Sequence, residues 1–323
     1  MNKKNLVVIL LFLSTISYTD SIYTEDGGSV SGENKRGNGS DNYIIGTDIK
    51  SDGTKTELSN VFENGVQKSI LIGAKNKANK ASASNVVAIG YKNIVGESNS
   101  VALGAWNQAS GSSSIAIGME SNSIGKDSVA VGRKAGSKGE NSVAFGNDVK
   151  AIGKNSSVFG LGSKSSGVNS LALGNKIDAM SDDSIAIGNG GYAGGKSSVS
   201  IGNNTKSSGT NAIAIGNTSK TNANNAIAIG NTSKTNANNA IALGNKIEAM
   251  AANSINIGNN GYAGGESSIS IGNNSKSSGT NAIALGTTSR TNRNNAIAIG
   301  NETLSEGENS ISIGNGAKSK EKD

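Results

Sequence analysis

Large apolar, small and polar positions alternate along this chain with a beat that returns every fourteen residues. The recurring block is aliphatic–small–aliphatic–Gly, as in Ile115-Ala116-Ile117-Gly118 and Val129-Ala130-Val131-Gly132. Closing glycines fall at 90, 104, 118, 132, 146, 162, 174, 188, 202, 216, 230, 244, 258, 272, 286, 300 and 314, with a 16-residue and a 12-residue step around Gly162. Inside each block the period of two predicts a strand with aliphatic residues on one face and small residues on the other. The glycine predicts a backbone that leaves the strand through φ values closed to branched residues. A polar half-unit follows, such as Asn203-Asn204-Thr205-Lys206-Ser207-Ser208-Gly209, in which a small residue recurs five positions after the glycine. Two short strands and two turns use up fourteen residues, whereas a repeat containing a helix needs at least about twenty. The fold class expected is all-β, a solenoid with 14-residue coils.

The flanks lack this beat. Lys3 and Lys4 precede an uncharged apolar run from Leu6 to Leu13, too short to span a bilayer, and residues 1–20 read as a secretory signal peptide. Residues 21–84 are expected to be a leader and degenerate capping coils, with Tyr43-Ile44-Ile45-Gly46 and Ile70-Leu71-Ile72-Gly73 echoing the repeat. Val61-Phe62 is the apolar pair expected to cover the open end, and residues 21–40 are either part of that cap or a disordered leader. The repetitive roll spans 85–316, and 317–323 form a charged tail. Within the roll a longer unit is duplicated: Asn175-Lys176-Ile177-Asp178-Ala179-Met180 returns 70 residues later as Asn245-Lys246-Ile247-Glu248-Ala249-Met250. Tolerance of a five-coil duplication suits a spacer or display surface better than an active site.

Composition narrows the function by subtraction. The chain has no histidine and no cysteine, so it offers no imidazole base, no thiolate and no His/Cys metal site. It is expected to be no enzyme and to use no cofactor and no metal. Net charge is +6, and Lys164, Lys206, Lys220, Lys234 and Lys276 read as single residues in polar turns, a solvated surface with no nucleic-acid partner. The small strand face carries Ala214, Ala228 and Ala242 in successive copies where a solvent-facing surface would drift toward Thr, Lys or Glu. That uniformity predicts a close contact with another copy of the chain, with Ile215 and Ile229 turned to the interior.

The motifs Asn99-Ser100-Val101-Ala102-Leu103-Gly104 and Asn141-Ser142-Val143-Ala144-Phe145-Gly146, with Ser114-Ile115-Ala116-Ile117-Gly118, resemble the head repeats of YadA-like trimeric autotransporter adhesins. The resemblance implies a left-handed parallel β-roll, three chains side by side as a homotrimer, displayed at a bacterial surface or outer membrane, or extracellular. It further implies binding to host cells or matrix proteins such as collagen, fibronectin or laminin, with residues 99–104 and 141–146 as ligand-binding positions. Trp106, Tyr192 and Tyr262 join them as aromatic anchors, although Trp106 with Tyr91 could instead plug the end of the roll. Full-length relatives add a heptad stalk and a membrane anchor of strands. Neither pattern follows Gly314, so the expectation is either a truncated or split gene product, with a separately encoded stalk and anchor, or a released chain held by a partner. The rival reading is a self-associating structural or biofilm-matrix rod without a host ligand. A hexapeptide-repeat acyltransferase would need a period near eighteen and a histidine, and calcium-binding nonapeptide rolls need Gly-Gly-x-Gly-x-Asp runs that are absent.

Overall fold

A computed structural model describes residues 43–45, 60–62 and 65–320, so the expected signal peptide and most of the leader lie outside the described residues. The chain divides into two units, one ending at Ile124 and one beginning at Gly125.

In the second unit every repeat contributes one long and one short strand. Five-residue strands run from Val129–Arg133 to Ile269–Asn273, followed by the three-residue strands Ile283–Leu285, Ile297–Ile299 and Ile311–Ile313. Two-residue strands alternate with them, from Gly136–Ser137 to Lys318–Ser319. Long strands pair parallel only with long strands, one coil on, as in Ile213↔Ile227, Ala214↔Ala228 and Ile215↔Ile229. Short strands do the same, as in Lys220↔Lys234 and Thr221↔Thr235. The result is a β-solenoid of two parallel sheets. The expected tail is partly roll, since Lys318–Ser319 pairs with Leu304–Ser305.

Each turn is fixed by backbone conformations that few residues tolerate. The glycine closing a long strand lies near φ +123 at Gly216, and a Cβ there would sit 1.9 Å from the carbonyl oxygen of Gly230 in the next coil. Non-glycine residues take the left-handed region at two further places per coil, such as Asn211 (φ 55) and Thr218 (φ 54). Asparagine recurs at the first of these because its short polar side chain tolerates that region best. The geometry also removes the apparent slip at Gly162. Gly160 pairs with Gly146 and Gly174 in unbroken register, while Gly162 takes the left-handed turn position at φ 59. The period is therefore 14 throughout, and the 16- and 12-residue steps come from counting the wrong glycine of Phe159-Gly160-Leu161-Gly162.

The interior reverses the expected orientation of the strands. Ala214, Ala228 and Ala242 are completely buried within a single chain, as are Ala212, Ala226 and Ala240, whereas Ile213 and Ile215 are half-buried on the outer side. These alanines are not an oligomer contact. The inward residues of one coil, Thr205, Ser207, Ala212 and Ala214, are all small. A loop of fourteen residues brings its two sheets too close for leucine-sized side chains at every coil, and overfilling such a gap costs about 1–3 kcal/mol or more per site. Where the inner alanine is replaced by a polar residue, the same chain supplies a hydrogen bond to it, although Asn256 Oδ1 is left without a partner. Ser200 bonds Thr205 at 2.7 Å and Ser270 bonds Ser275 at 2.6 Å. Asn256 donates to the Glu248 carbonyl at 3.0 Å, and Ser312 to that of Leu304 at 2.9 Å.

The first unit repeats the plan with longer excursions between coils. Ile70–Ala74 pairs with Val87–Tyr91, and Tyr43–Ile45 pairs in turn with Ile70–Ile72. Val61–Phe62 is a short strand paired with Lys77–Ala78. Its interior carries a ladder of buried asparagines three residues after each closing glycine: Asn76, Asn93 and Asn107. The Asn93 amide donates to the carbonyls of Ile89 (2.9 Å) and Gly104 (2.8 Å), and its Oδ1 accepts the Asn107 N–H at 3.1 Å. Each asparagine thus closes its own turn and ties it to the next coil. Asn93→Ala should strand three buried backbone groups and cost roughly 2–4 kcal/mol locally. Hydrogen exchange at the Asn107 amide and its neighbours should accelerate accordingly, with Asn93→Ser intermediate. Unchanged exchange would contradict the clamp.

Candidate binding faces

Because the inward positions are filled, mostly by small residues with single larger ones such as Ile177 and Ile247, whatever this protein binds must meet the outward columns. On the long-strand sheet of the second unit two aliphatic columns run side by side: Ile213, Ile227 and Ile241 in one, Ile215, Ile229 and Leu243 in the other. Over the fourteen long strands of this unit the face extends roughly 60 Å at about 4.8 Å per step. Ile229, Ile271, Leu173 and Phe145 are exposed, Phe145 to 54%. This face is bordered on both sides by asparagine ladders. Beyond the closing glycines the amides run unbroken from Asn189 through Asn203, Asn217, Asn231, Asn245 and Asn259 to Asn273, at 2.9–3.4 Å. On the other side Asn211, Asn225, Asn239 and Asn253 are linked at 3.0–3.2 Å. Such ladders bind successive coils together and give the aliphatic face a polar rim.

The short-strand sheet is of a different chemistry. Its first residue points out and its second points in, so the exposed column reads Lys150, Lys164, Asp178, Tyr192, Lys206, Lys220, Lys234, Glu248, Tyr262, Lys276 and Arg290. The lysines read from sequence as single residues in turns are therefore stacked on successive strands. Sequence reasoning missed this column although the signal was there: each member stands four residues after a closing glycine. Lys206 Nζ lies 5.7 Å from the centre of the Tyr192 ring, and Lys276 Nζ 5.5 Å from that of Tyr262, within cation–π reach.

The twelve expected motif positions split by this inside–outside rule. Ser100, Ala102, Ser142 and Ala144 are completely buried. Ser142 Oγ is bonded to the Gly139 carbonyl at 2.6 Å and to Ser137 Oγ at 2.6 Å. No ligand can reach these four side chains in the folded roll, which corrects their assignment as contacts. Gly104 and Gly146 close strands, and a Cβ at either would meet the next coil's carbonyl oxygen at 2.0 and 1.8 Å. Accessible side chains remain at Asn99, Val101 and Leu103, and at Asn141, Val143 and Phe145. Trp106 stands exposed with its ring edge-on to Tyr91 at 5.7 Å, a surface pair and not a plug in the interior. Among the described residues no group of three or more acidic side chains is placed to hold a metal ion, and no helix is long and apolar enough to cross a membrane.

The two-sheet solenoid has a mostly small-residue interior and long repeated ladders on its outside. The family described as YadA head domain repeat (2 copies) matches residues 98–121, 123–148, 151–176, 193–219, 222–246, 263–289 and 294–317. These segments make up more than half of the chain, which belongs to that family. The family is a non-catalytic adhesin module, and the chain is accordingly not an enzyme. No curated protein matches the sequence.

The inversion of the strand is directly testable. Ala214→Arg should cost several kcal/mol by burying an unpaired charge, and open the coils around it. Ile215→Asp, on the outer face, should cost about 1 kcal/mol and keep the β circular dichroism. Equal melting of the two variants would show that the faces are not distinguished in this way.

Proposed function

We propose that this chain is the head of an adhesin that is exported, assembles side by side with copies of itself, and binds host matrix or cells through its remaining outer surface. The observation that carries the reading is the aliphatic face. Two columns of Ile, Leu, Val and Phe stay half-exposed along the second unit, and asparagine ladders frame them. An apolar centre with a polar rim is the anatomy of a protein–protein interface. A homotrimer, as the family resemblance implies, would cover that face with its own kind and leave the short-strand sheet outward.

Adhesion then works by repetition. One surface is offered on coil after coil and on each chain, so weak contacts add through effective concentration. Of the motif positions, Asn99, Val101, Leu103, Asn141, Val143 and Phe145 can contribute, either to the ligand or to the chain–chain contact. Trp106, Tyr192 and Tyr262 are the aromatic anchors outside the aliphatic face. Collagen, fibronectin and laminin are the ligand candidates, and the cell surface or its surroundings the place of action.

Light scattering on the purified chain should give a trimer mass that falls when Ile215 and Ile229 are both changed to Asp. Titration onto immobilised collagen, fibronectin or laminin should show binding that weakens when the 70-residue block 174–243 is deleted. An unchanged mass for the double variant would move the contact to another face. Absence of binding to every matrix protein, with concentration-dependent self-association, would favour the self-associating rod over the adhesin.

A further inference from the structure

The cationic column of the short-strand sheet sets like charges side by side. In parallel register Lys206 pairs directly with Lys220, and Lys220 with Lys234. Like charges placed opposite each other on neighbouring strands are destabilising. Alternation with acids would remove the penalty, yet Asp178 and Glu248 stand only at the two ends of the Tyr-Lys-Lys-Lys run. Lys234 reaches Glu248 at 3.9 Å. Among the described residues no carboxylate stands within ion-pair distance of Lys206, Lys220, Lys276 or Arg290. The 70-residue duplication reproduces the order acid, tyrosine, base, base as Glu248, Tyr262, Lys276 and Arg290. A pattern that costs stability and is present twice points to a ligand, since local rules are broken where function requires it.

We propose that Tyr192-Lys206-Lys220-Lys234, and its second copy Tyr262-Lys276-Arg290, bind a linear sulfated polysaccharide laid along the stack of coils. The geometry selects the occupant. Cations in single file at about 4.8 Å intervals match a single extended polyanion with charge on every sugar unit, whereas a duplex nucleic acid presents two phosphate rows. Single-stranded nucleic acid would need open aromatic faces for its bases, and here the tyrosine rings are already faced by Lys206 and Lys276. Hydrogen-bonding side chains flank the cations, with Asn204 and Thr232 on one side and Asn222 and Asn236 on the other. These suit a hydroxyl-bearing chain. Exposed lysines are screened by salt and individually weak, so the polymer of highest charge density, sulfated rather than only carboxylated, is the one that engages the column. The inference deepens the adhesin reading by naming a matrix component, and the binding step itself does not depend on the collagen-type ligands.

The test uses the full chain with heparin oligosaccharides as probe. Binding at 0.1 M salt should weaken as salt is raised. The triple variant K206Q/K220Q/K234Q should bind at least about tenfold more weakly with unchanged β circular dichroism. The control K126Q/K154Q/K196Q removes the same charge from turns off the column and should bind like wild type. Equal losses in both triples would reduce the effect to net charge and overturn the proposal. So would tighter binding of alginate or DNA than of heparin, or no heparin binding at all. Collagen, fibronectin and laminin binding measured on the same variants separates the readings: loss of heparin binding alone leaves the adhesin proposal standing.

Discussion

The narrow gap between the two sheets is the constraint on which everything else in this molecule depends. With only fourteen residues per coil the backbones of facing strands come so close that mostly Ala, Ser and Thr fill the space, and even the closing glycines abut the carbonyl of the next coil. Such a core contains little apolar surface per residue, so hydrophobic burial inside one chain cannot be the main source of order. Hydrogen bonds between successive coils carry much of it. The parallel ladders of both sheets, the buried Asn76-Asn93-Asn107 clamp and the Ser–Ser and Ser–Thr bonds across the interior satisfy groups that the tight coil would otherwise strand.

The same constraint pushes the large aliphatic residues out. This is where reading the sequence succeeded and then failed. The 14-residue beat, the alternation of Ile213-Ala214-Ile215 and the glycine at its end establish strand, turn and solenoid without further help. Alternation alone says that a strand has two faces, not which is inside. The general preference for large apolar residues in cores pointed the isoleucines inward, and the small perimeter of the coil overrules it. Uniform small alanines suggest an interface between chains; here they are uniform and small because they face the opposite sheet. The Gly160–Gly162 ambiguity has a similar origin, since a turn glycine and a closing glycine look alike until register is known.

Most of the candidate site was legible only in outline. The aromatic residues Trp106, Tyr192 and Tyr262 stand at the surface. Half the residues of the two quoted motifs serve the fold: the serines and alanines fill the interior and the glycines turn the chain. The cationic column was hidden because lysines fourteen apart look isolated in sequence and become neighbours only when the coils are stacked. A solenoid converts a distance of fourteen residues into one interstrand step, so single residues repeated at one offset become surfaces.

The central claim is that the small face of each long strand lies inside the chain and the large face outside it. Because the sequence has no cysteine, single thiols can be placed at Ala214, Ile215 and Lys220 and their rates of maleimide labelling compared under native conditions. The account predicts that Ala214→Cys stays unreactive until the protein is denatured and that Lys220→Cys reacts at once. Ile215→Cys should react faster as the protein is diluted and its copies separate. Rapid native labelling at position 214, at the rate seen for position 220, would contradict the account.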